Sequence, residues 1–251
     1  MYYFVLLQRF MFHKLYKTIL TEVCCLCDTQ GLSGLDLCHE CHKSLPYNHF
    51  SCSKCAVPVA CVTGDDQRNR LCGRCLSNVS DIDEAVIPYL YRPPIDFMIR
   101  RLKFSEENKF SRLLGELLSD AIERHYTAEF RSEFPSIILP VPVHRQRLLE
   151  RGFNQAEQIA RTVANRFDRQ IDTRAVTRSD LVVPQSSLSA VQREANIRRA
   201  FEVRQPATIQ GSHVAIVDDV YTTGATARAI SRRLKSAGAR RISIWAVART
   251  P

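Results

Sequence analysis

Two adjacent carboxylates follow a short apolar run late in the chain. Residues 214–217 are apolar and mostly β-branched, and Asp218 and Asp219 come directly after them. Such a run predicts a strand buried on both faces of a parallel sheet, here over residues 214–219. Open α/β sheets bind ligands at the carboxyl ends of their strands. Because two neighbouring carboxylates repel each other, the pair indicates a site for a cation or for hydroxyl donors, such as Mg²⁺ and ribose.

A turn rich in hydroxyl groups comes next. Gly224 allows close backbone approach, and Ile230 and Leu234 lie on one face of the helix predicted to follow. Free N–H groups at a helix N-terminus bind phosphate, because these donors and the helix dipole act together. An ordinary acidic turn before a capped helix is the alternative, but the order of the elements favours a sugar-phosphate site. Its phosphate-binding candidates are Thr222, Thr223, Gly224, Ala225 and Thr226.

Three arginines form a second group of candidates. Arg145, Arg147 and Arg151 lie between a predicted strand, residues 137–143, and a predicted helix, residues 153–167. A guanidinium group donates two parallel hydrogen bonds, which suits pyrophosphate. We interpret the three as pyrophosphate-binding candidates, with a solvated basic loop as the alternative. No general base is identifiable, so the catalytic residues are unassigned.

Eight of the ten cysteines form four pairs with two residues between the partners. Two thiolates at this spacing bind one metal ion, so four pairs predict about two structural zinc ions. We pair them in sequence order, although a cross-braced arrangement stays open. Disulfides are the alternative, which the regular spacing and the absence of a secretory signal disfavour. The metal candidates are Cys24, Cys27, Cys38 and Cys41 for one ion, and Cys52, Cys55, Cys72 and Cys75 for the other.

Length and charge limit the organisation of the chain. The 251 residues allow a full α/β domain with a small accessory domain, and the net charge of +9 indicates anionic partners. From residue 85 onward, predicted strands (85–91, 137–143, 214–219, 242–247) alternate with predicted helices (95–104, 113–122, 153–167, 225–237). This alternation predicts a mostly parallel sheet flanked by helices. The polar residues 177–201 are either a mobile loop over the site or a surface excursion.

We predict three segments: an N-terminal extension over 1–23, a double zinc ribbon over 24–78 and the α/β domain over 79–251. The extension is apolar but contains Arg9, Lys14 and Lys17, so it cannot span a bilayer. Leu15 and Ile19 have helical spacing, which predicts a basic amphipathic helix. This helix either packs internally or makes peripheral contact with a membrane surface.

The segment around the two aspartates resembles the phosphoribosyl pyrophosphate (PRPP) loop of type I phosphoribosyltransferases. The resemblance implies that Asp218 and Asp219 hold the ribose hydroxyls of PRPP, which binds together with Mg²⁺. It also implies that the turn at residues 222–226 holds the 5-phosphate. The fold that it implies is a type I phosphoribosyltransferase-like parallel sheet flanked by helices.

The order of several motifs makes the resemblance more specific than the one based on the aspartate loop alone. After the cysteine pairs come Leu102-Lys103-Phe104, Pro140-Val-Pro142, the run from Arg151 to Gln155, then Gln185 with Arg193 and Asn196, and finally the two aspartates. Over residues 24–249 the chain is similar to the competence protein F (ComF) family, and within it to the GntX-type proteins of Gram-negative bacteria. The resemblance implies a cytoplasmic protein linked to natural transformation or to the use of external DNA as a nutrient.

Two functions stay open on these grounds. The first is a PRPP-dependent phosphoribosyltransferase with an unknown acceptor. Position 2 is Tyr2, not a cysteine nucleophile, so we do not expect a complete glutamine amidophosphoribosyltransferase. The second is a non-catalytic protein that binds single-stranded DNA or the DNA-uptake machinery through its basic ribbon, which has only Tyr47 and Phe50 as stacking partners.

Overall fold

A computed structural model describes residues 22–60, 70–78, 80–104, 108–127, 133–179 and 200–251. The chain divides into two compact units, Met1–Leu45 and Pro46–Pro251. The second unit contains the sheet and also four of the predicted metal ligands. The predicted amphipathic helix and the motif residues Gln185, Arg193 and Asn196 lie outside the described residues.

In the described ranges, helices and strands follow one another along the chain singly or in pairs. None of these helices is both long enough and apolar enough to cross a membrane. The helices are α1 (His39–Lys43), α2 (Gly73–Ser77), α3 (Ile95–Phe104), α4 (Asn108–His125), α5 (Arg145–Arg151), α6 (Gln155–Arg166), α7 (Pro206–Ile209) and α8 (Ala225–Ser236). The strands are β1 (Glu84–Val86), β2 (Tyr89–Leu90), β3 (Ile137–Pro140), β4 (Val176–Arg178), β5 (Phe201–Val203), β6 (His213–Tyr221) and β7 (Arg241–Arg249).

A parallel sheet forms the centre of the larger unit. Its order is β1, β7, β6, β3, and β2 continues the edge beside the second half of β7. In register, Val214 of β6 lies between Ile137 of β3 and Ile242 of β7. Strands β6 and β7 are buried along almost their whole length, as their continuous apolar sequence predicts. This burial fixes the strand that carries the two aspartates.

Helices cover the sheet. On one face, Ile230 and Leu234 of α8 join Val214 and Ile216 in a buried cluster. On the other, α4 and α6 pack against the sheet and against each other, so closely that a Cβ on Gly115 would lie 2.5 Å from the Cβ of Thr162. Alternate residues of a strand point to opposite faces, so both faces of β6 are apolar. The predicted parallel sheet flanked by helices is confirmed.

A buried ionic network fixes the amino ends of three strands. Glu84 begins β1, and its carboxylate accepts hydrogen bonds from Ser243 (2.5 Å) and from Arg241 (2.8 Å), the first residue of β7. His213, the first residue of β6, lies 2.6 Å from the Ser243 hydroxyl through its Nε2. Burial lowers the pKa of His213 to about 4, so this imidazole is neutral at pH 7. The network lies at the end of the sheet opposite to the aspartates.

Several element boundaries differ from the predictions. The predicted strand over 85–91 is two short strands, β1 and β2, on the edge of the sheet. Strand β6 continues through Tyr221, beyond the predicted end at residue 219. Asn154 caps α6 through a hydrogen bond from the N–H of Ala156 at 3.1 Å, so this helix begins at Gln155. The short helix α5 was not predicted, because its residues have no apolar face to bury.

A two-stranded antiparallel ribbon contains both ends of the polar segment predicted as a mobile loop or as a surface excursion. Arg178, the last residue of β4, pairs with Phe201, the first residue of β5. The guanidinium of Arg178 lies 5.6 Å from the centre of the Phe201 ring. The described ends of the predicted loop are therefore held together by main-chain pairing.

Candidate functional site

The two aspartates, which we call the acid pair, are the sixth and seventh of the nine residues of β6. Asp218 is in register with Ala246 of β7, and its Oδ1 accepts a hydrogen bond of 2.9 Å from the N–H of Asp219. Asp219 is only 5% exposed, and its Oδ2 lies 2.6 Å from Nζ of Lys103. Lys103 is the ninth residue of α3, so two elements far apart in the sequence meet at the acid pair.

The acid pair is electrostatically strained. Burial raises the pKa of Asp218 well above its usual range, and the neighbouring charge of Asp219 raises it further. The positive charge of Lys103 acts in the opposite direction. One lysine therefore faces two carboxylates that share a site. Such a pair is stabilised by a divalent cation or by hydroxyl donors, which are the groups that Mg²⁺ and ribose provide.

In the sequence, Lys103 belongs to the motif Leu102-Lys103-Phe104, which assigns it no role. The structure places its ammonium group on Asp219, within the acid pair. The motif was the only feature of the sequence that singled out Lys103. Lys103 thus belongs to the site through its contact with a proposed ligand-binding residue.

The turn at residues 222–226, which we call the phosphate turn, connects β6 to α8. Gly224 precedes the first residue of α8 and has a φ of +76°, a conformation that favours glycine. A Cβ at this position would lie 2.5 Å from Cζ of Tyr221, so a side chain cannot fit here without movement of the tyrosine. The turn passes directly over this ring.

The phosphate turn is shaped by its own polar groups. The Oγ1 of Thr223 accepts a 3.3 Å hydrogen bond from the N–H of Ala225, and the carbonyl of Thr223 accepts a 2.7 Å bond from Arg228. Thr222 and Thr223 are exposed. The first N–H groups of a helix have no acceptor within the helix. The turn therefore combines exposed hydroxyls with the amino end of α8, which suits a phosphate group.

The three candidate arginines lie on α5, which follows the carboxyl end of β3. The N–H of Val141 donates to the carbonyl of Val217 at 2.9 Å, so the end of β3 lies beside the start of the acid pair. Arg145 and Arg147 are exposed, whereas Nη1 of Arg151 lies 3.5 Å from Oε1 of Gln155. Parallel strands end at one edge of a sheet, so α5 and the phosphate turn are on the same edge.

Arg178 is a basic residue that sequence reasoning did not single out. Burial lowers its pKa, and the positive charge of Arg147 lowers it further. The Nε of Arg178 is buried and has no hydrogen-bond partner in the described part of the chain. Its surroundings are tertiary, because its ring contact Phe201 lies on β5. A buried guanidinium group without a hydrogen-bond partner favours the binding of an anion.

The cysteines form two clusters in the predicted sequential order. The four sulfurs of each cluster lie within 4.8 Å of one another. In the first tetrad, Sγ of Cys27 lies 3.6 Å from those of Cys38 and Cys41, and in the second, Cys55 lies 3.7 Å from Cys72. Tetrahedral zinc with bonds of about 2.3 Å places its sulfurs roughly 3.8 Å apart, whereas a disulfide requires about 2.05 Å. The spacing fits a metal, and none of the described cysteines forms a disulfide.

The two tetrads repeat one local structure. In each, the residue after the second cysteine has a positive φ, which occurs at Asp28 and Ala56. The N–H of the first cysteine donates to the carbonyl five residues later, at 2.8 Å in the first tetrad and 2.9 Å in the second. The third cysteine precedes a five-residue helix, α1 or α2, which contains the fourth cysteine. The repeated spacing of the cysteine pairs in the sequence therefore corresponds to a repeat of backbone geometry.

Thiolate chemistry agrees with metal binding. A hydrogen bond from the N–H of Cys41 lowers the pKa of Cys38 to about 6. A hydrogen bond from Cys55 lowers the pKa of Cys52 to about 4, while burial raises the pKa of Cys75 to about 11. Neighbouring thiolates repel one another, so all four ionise together only when a cation neutralises them.

Comparison with known proteins agrees with this geometry. The family model for the phosphoribosyl transferase domain matches residues 148–251, which include the acid pair and the phosphate turn. DNA utilization protein YhgH of Escherichia coli O157:H7 is 31% identical over 91% of this chain and 97% of its own length. Competence protein F of Haemophilus influenzae is 31% identical over 85% of this chain and 90% of its own length.

Similarity to solved structures is much weaker. A hypoxanthine phosphoribosyltransferase from Staphylococcus aureus is 13% identical, with a TM-score of 0.37 and coverage of 59% of this chain and 66% of that one. A likeness of this size bears on neither substrate nor activity. The family match and the parallel sheet show a type I phosphoribosyltransferase fold preceded by cysteine clusters. Because two relatives are 31% identical to it over most of its length, this chain belongs to the competence protein F family.

Proposed function

We propose that this protein binds PRPP together with Mg²⁺ at the carboxyl edge of its sheet. The observation that carries the proposal is the continuous unit in which β6 presents Asp218 and Asp219 and then runs through the Gly224 turn into α8. Carboxylates suit hydroxyl groups and a hard cation, while the amino end of a helix suits phosphate. PRPP presents these groups on one ribose ring.

Each part of PRPP has a group of residues that suits it. Asp218 and Asp219 hold the ribose hydroxyls, and Mg²⁺ supplies positive charge to the pyrophosphate and the carboxylates. The pyrophosphate is received by Arg145, Arg147 and Arg151, and Arg178 adds a positive charge that interacts with that of Arg147. The 5-phosphate is held by Thr222, Thr223, Gly224, Ala225 and Thr226.

Transfer of the ribose would require little acid–base chemistry from the protein. Displacement of pyrophosphate from C1 passes through a cation-like state, which is favoured by correct positioning and by neutralisation of the leaving group. Lys103 forms an ion pair with Asp219. The exposed arginines of α5 bind the pyrophosphate as it leaves. The acceptor is unassigned, so the function proposed is PRPP binding by a phosphoribosyltransferase-like protein.

The cellular role follows the names of the relatives. Relatives are named for DNA utilization and competence, and we propose the same role here, in natural transformation or in the use of external DNA as a nutrient. We propose zinc in both cysteine tetrads, because the sulfur spacing suits this ion. Free thiolates persist in a reducing compartment, so we place the protein in the cytoplasm.

A titration of the unmodified protein tests PRPP binding. We expect calorimetry to show binding of PRPP that depends on Mg²⁺, with weaker binding of ribose 5-phosphate, which lacks the pyrophosphate. Replacement of Arg145 and Arg147 by alanine should reduce the affinity for PRPP but not that for ribose 5-phosphate. Equal affinity for the two ligands in the unmodified protein would contradict the role of the arginines.

A second candidate function is the binding of single-stranded DNA, favoured by a cleft of about 830 Å³ beside β1. The rings of Tyr47 and His49 are stacked there, with centres 5.3 Å apart, and Arg124 lines the same cleft. Arg70 lines it as well, and its guanidinium lies 5.4 Å from the centre of the Phe50 ring. Aromatic rings and cations together are typical of surfaces that bind unpaired bases.

Oligonucleotide titrations test this second candidate. Binding of a single-stranded oligonucleotide should weaken steeply with salt, and replacement of His49 and Arg124 by alanine should weaken it further. The variant that combines Asp218→Asn with Asp219→Asn should bind the oligonucleotide as the unmodified protein does. If the cleft variant binds equally well, the cleft is not the DNA site.

A further inference from the structure

One buried arginine connects the second tetrad to the phosphate turn. Arg249, the last residue of β7, is only 7% exposed. Its Nε donates to the carbonyl of Cys55 at 3.1 Å, and its Nη1 donates to the carbonyl of Tyr221 at 3.3 Å. The same guanidinium lies 5.3 Å from the centre of the Tyr221 ring. A single side chain thus holds the backbone of a metal-ligand loop and the backbone at the end of β6.

Tyr221 in turn shapes the phosphate turn. Its ring fills the space where a Cβ on Gly224 would lie, so the turn rests on the tyrosine. Residues 222–224 separate the held carbonyl of Tyr221 from the start of α8. A shift of Tyr221 would therefore move the hydroxyl groups and helix N–H groups that face a phosphate.

The second tetrad also packs on the helix that follows the turn. Cys52 and Cys55 belong to the same buried cluster as Ile230 and Leu234 of α8. A cleft of about 300 Å³ lies between the loops of this tetrad and α8. It is lined by Lys54 and Arg74 from those loops and by Arg228 and Arg232 from α8. Arg228 donates to the carbonyl of Thr223, so the cleft borders the phosphate turn.

The chemistry of arginine suits this connection. Its planar guanidinium donates in several fixed directions, so it can hold two carbonyl groups at once. A metal ion held by Cys55 fixes the loop to which one of these carbonyls belongs. Without the ion, Arg249 would lose a fixed partner on one side while it still carries a buried charge, which favours rearrangement.

We propose that Arg249 is a positioning residue that makes the geometry of the phosphate turn depend on metal binding at the second tetrad, and not at the first. Its relevance to PRPP rests on the function proposed above, whereas the connection itself does not require a ligand. The contacts of Arg249 reach Cys55 and Tyr221, and both belong to the unit Pro46–Pro251.

Hydrogen exchange in the absence of PRPP tests the proposal with a matched pair of variants. Cys75→Ser and Cys41→Ser each remove the fourth ligand of one tetrad, at the same position of a five-residue helix. In the zinc-loaded full chain, we expect Cys75→Ser to speed exchange in peptides that cover residues 221–228 by about fivefold or more. Cys41→Ser should leave these peptides unchanged. Equal exchange in Cys75→Ser and the unmodified protein, or equal acceleration by both variants, would overturn the proposal.

A second pair of variants separates positioning from a general loss of structure. Arg249→Met should speed exchange over residues 221–228 while the protein retains both zinc ions and while peptides of β3 exchange as before. Arg249→Lys should restore part of the protection, because its ammonium keeps the charge but cannot hold both carbonyls in the same geometry. Normal exchange in Arg249→Met, or acceleration that extends to β3, would contradict a positioning role. Because no PRPP is added, these results do not depend on whether PRPP binds.

Discussion

Asp218, which we propose as a PRPP-binding residue, opposes the stability of the fold when it is ionised. Burial raises its pKa, so ionisation of Asp218 weakens the fold as the pH rises through the raised value. We expect Asp218→Asn to increase the melting temperature relative to the unmodified protein at neutral pH, and this difference should shrink in acid. PRPP affinity should fall about 10- to 100-fold, since a hydrogen bond to a charged group contributes about 1.5–3 kcal/mol. Thermal melts at several pH values and calorimetry measure the two effects.

A control for Asp218→Asn is Glu150→Gln, which changes an exposed carboxylate on α5. The melting temperature of Glu150→Gln should not show the pH-dependent gain. Its affinity for PRPP should fall less than that of Asp218→Asn. A lower melting temperature for Asp218→Asn at neutral pH would mean that the ionised carboxylate stabilises the fold, contrary to our interpretation.

We propose that Lys103 sets the pH at which the acid pair binds PRPP. Its charge lowers the pKa of Asp218, so its removal should raise that pKa further. In Lys103→Met, PRPP binding with Mg²⁺ should therefore require a higher pH than in the unmodified protein. Titration of PRPP at a series of pH values measures the shift. Lys103→Arg keeps the charge and should keep the profile, and an unshifted profile in Lys103→Met would contradict this role.

The site residues that could be found in the sequence are those that are close together in it. The acid pair, the glycine of the turn and the cysteine pairs each have a local pattern whose chemistry is specific. Arg178 and Arg249 have no such pattern, and the motif that contains Lys103 does not specify its chemistry. Each of the three contacts a group that is distant in the chain. Their roles depend on tertiary contacts that spacing alone does not show.

Among the elements, the amino ends of β1, β6 and β7 determine how the fold responds to acid. His213 is 3% exposed, and its pKa lies at about 4 in place of the ordinary 6.5. Because the pKa of His213 is lower in the folded protein, His213 contributes stability above pH 6.5. Roughly 3 kcal/mol of this stability is lost as the pH falls toward 4. Burial opposes ionisation of Glu84, but hydrogen bonds from His125, Ser243 and Tyr126 keep its pKa well below the usual range.

Replacement of the buried histidine tests this account. His213→Asn should flatten the dependence of unfolding free energy on pH between 6.5 and 4, because asparagine does not titrate. Urea denaturation at several pH values measures the slope for both proteins. His39→Asn, at an exposed histidine outside the network, is the control. The same slope in His213→Asn and in the unmodified protein would show that another group causes acid unfolding.

Elements with an apolar period could be predicted from the sequence, and polar or edge elements could not. The helix predicted over residues 95–104 coincides with α3, and the predicted central strands are present in β6 and β7. The α5 helix lacks an apolar face, and the edge formed by β1 and β2 is interrupted. In both cases the surrounding structure decides the local conformation.

For the whole molecule, metal content is the simplest test. We expect about two zinc ions per chain in freshly purified protein, because each tetrad has the sulfur spacing of a four-cysteine site. Elemental analysis gives the number directly. One zinc ion per chain would mean that one tetrad has another use, and the Cys41→Ser and Cys75→Ser variants would show which tetrad binds it.

The division of the chain after Leu45 could not be found from cysteine spacing. In the sequence, each tetrad consists of two cysteine pairs with the same spacing, and the backbone geometry of the two tetrads repeats. The second tetrad nevertheless shares its buried cluster with α8 and the sheet. Burial of Cys52 and Cys55 against apolar residues is a property of the assembled unit, so a count of cysteines cannot show it.

The most direct test of the account is calorimetric titration of PRPP, with Mg²⁺, into the unmodified protein and into the variant that combines Asp218→Asn with Asp219→Asn. Asp219 is buried against Lys103, so circular dichroism must first show that the variant is folded. We predict that the unmodified protein binds PRPP and that the folded variant binds it at least about 100-fold more weakly. Equal affinity in the two proteins, or no binding by the unmodified protein, would contradict the assignment of this edge of the sheet as a PRPP site.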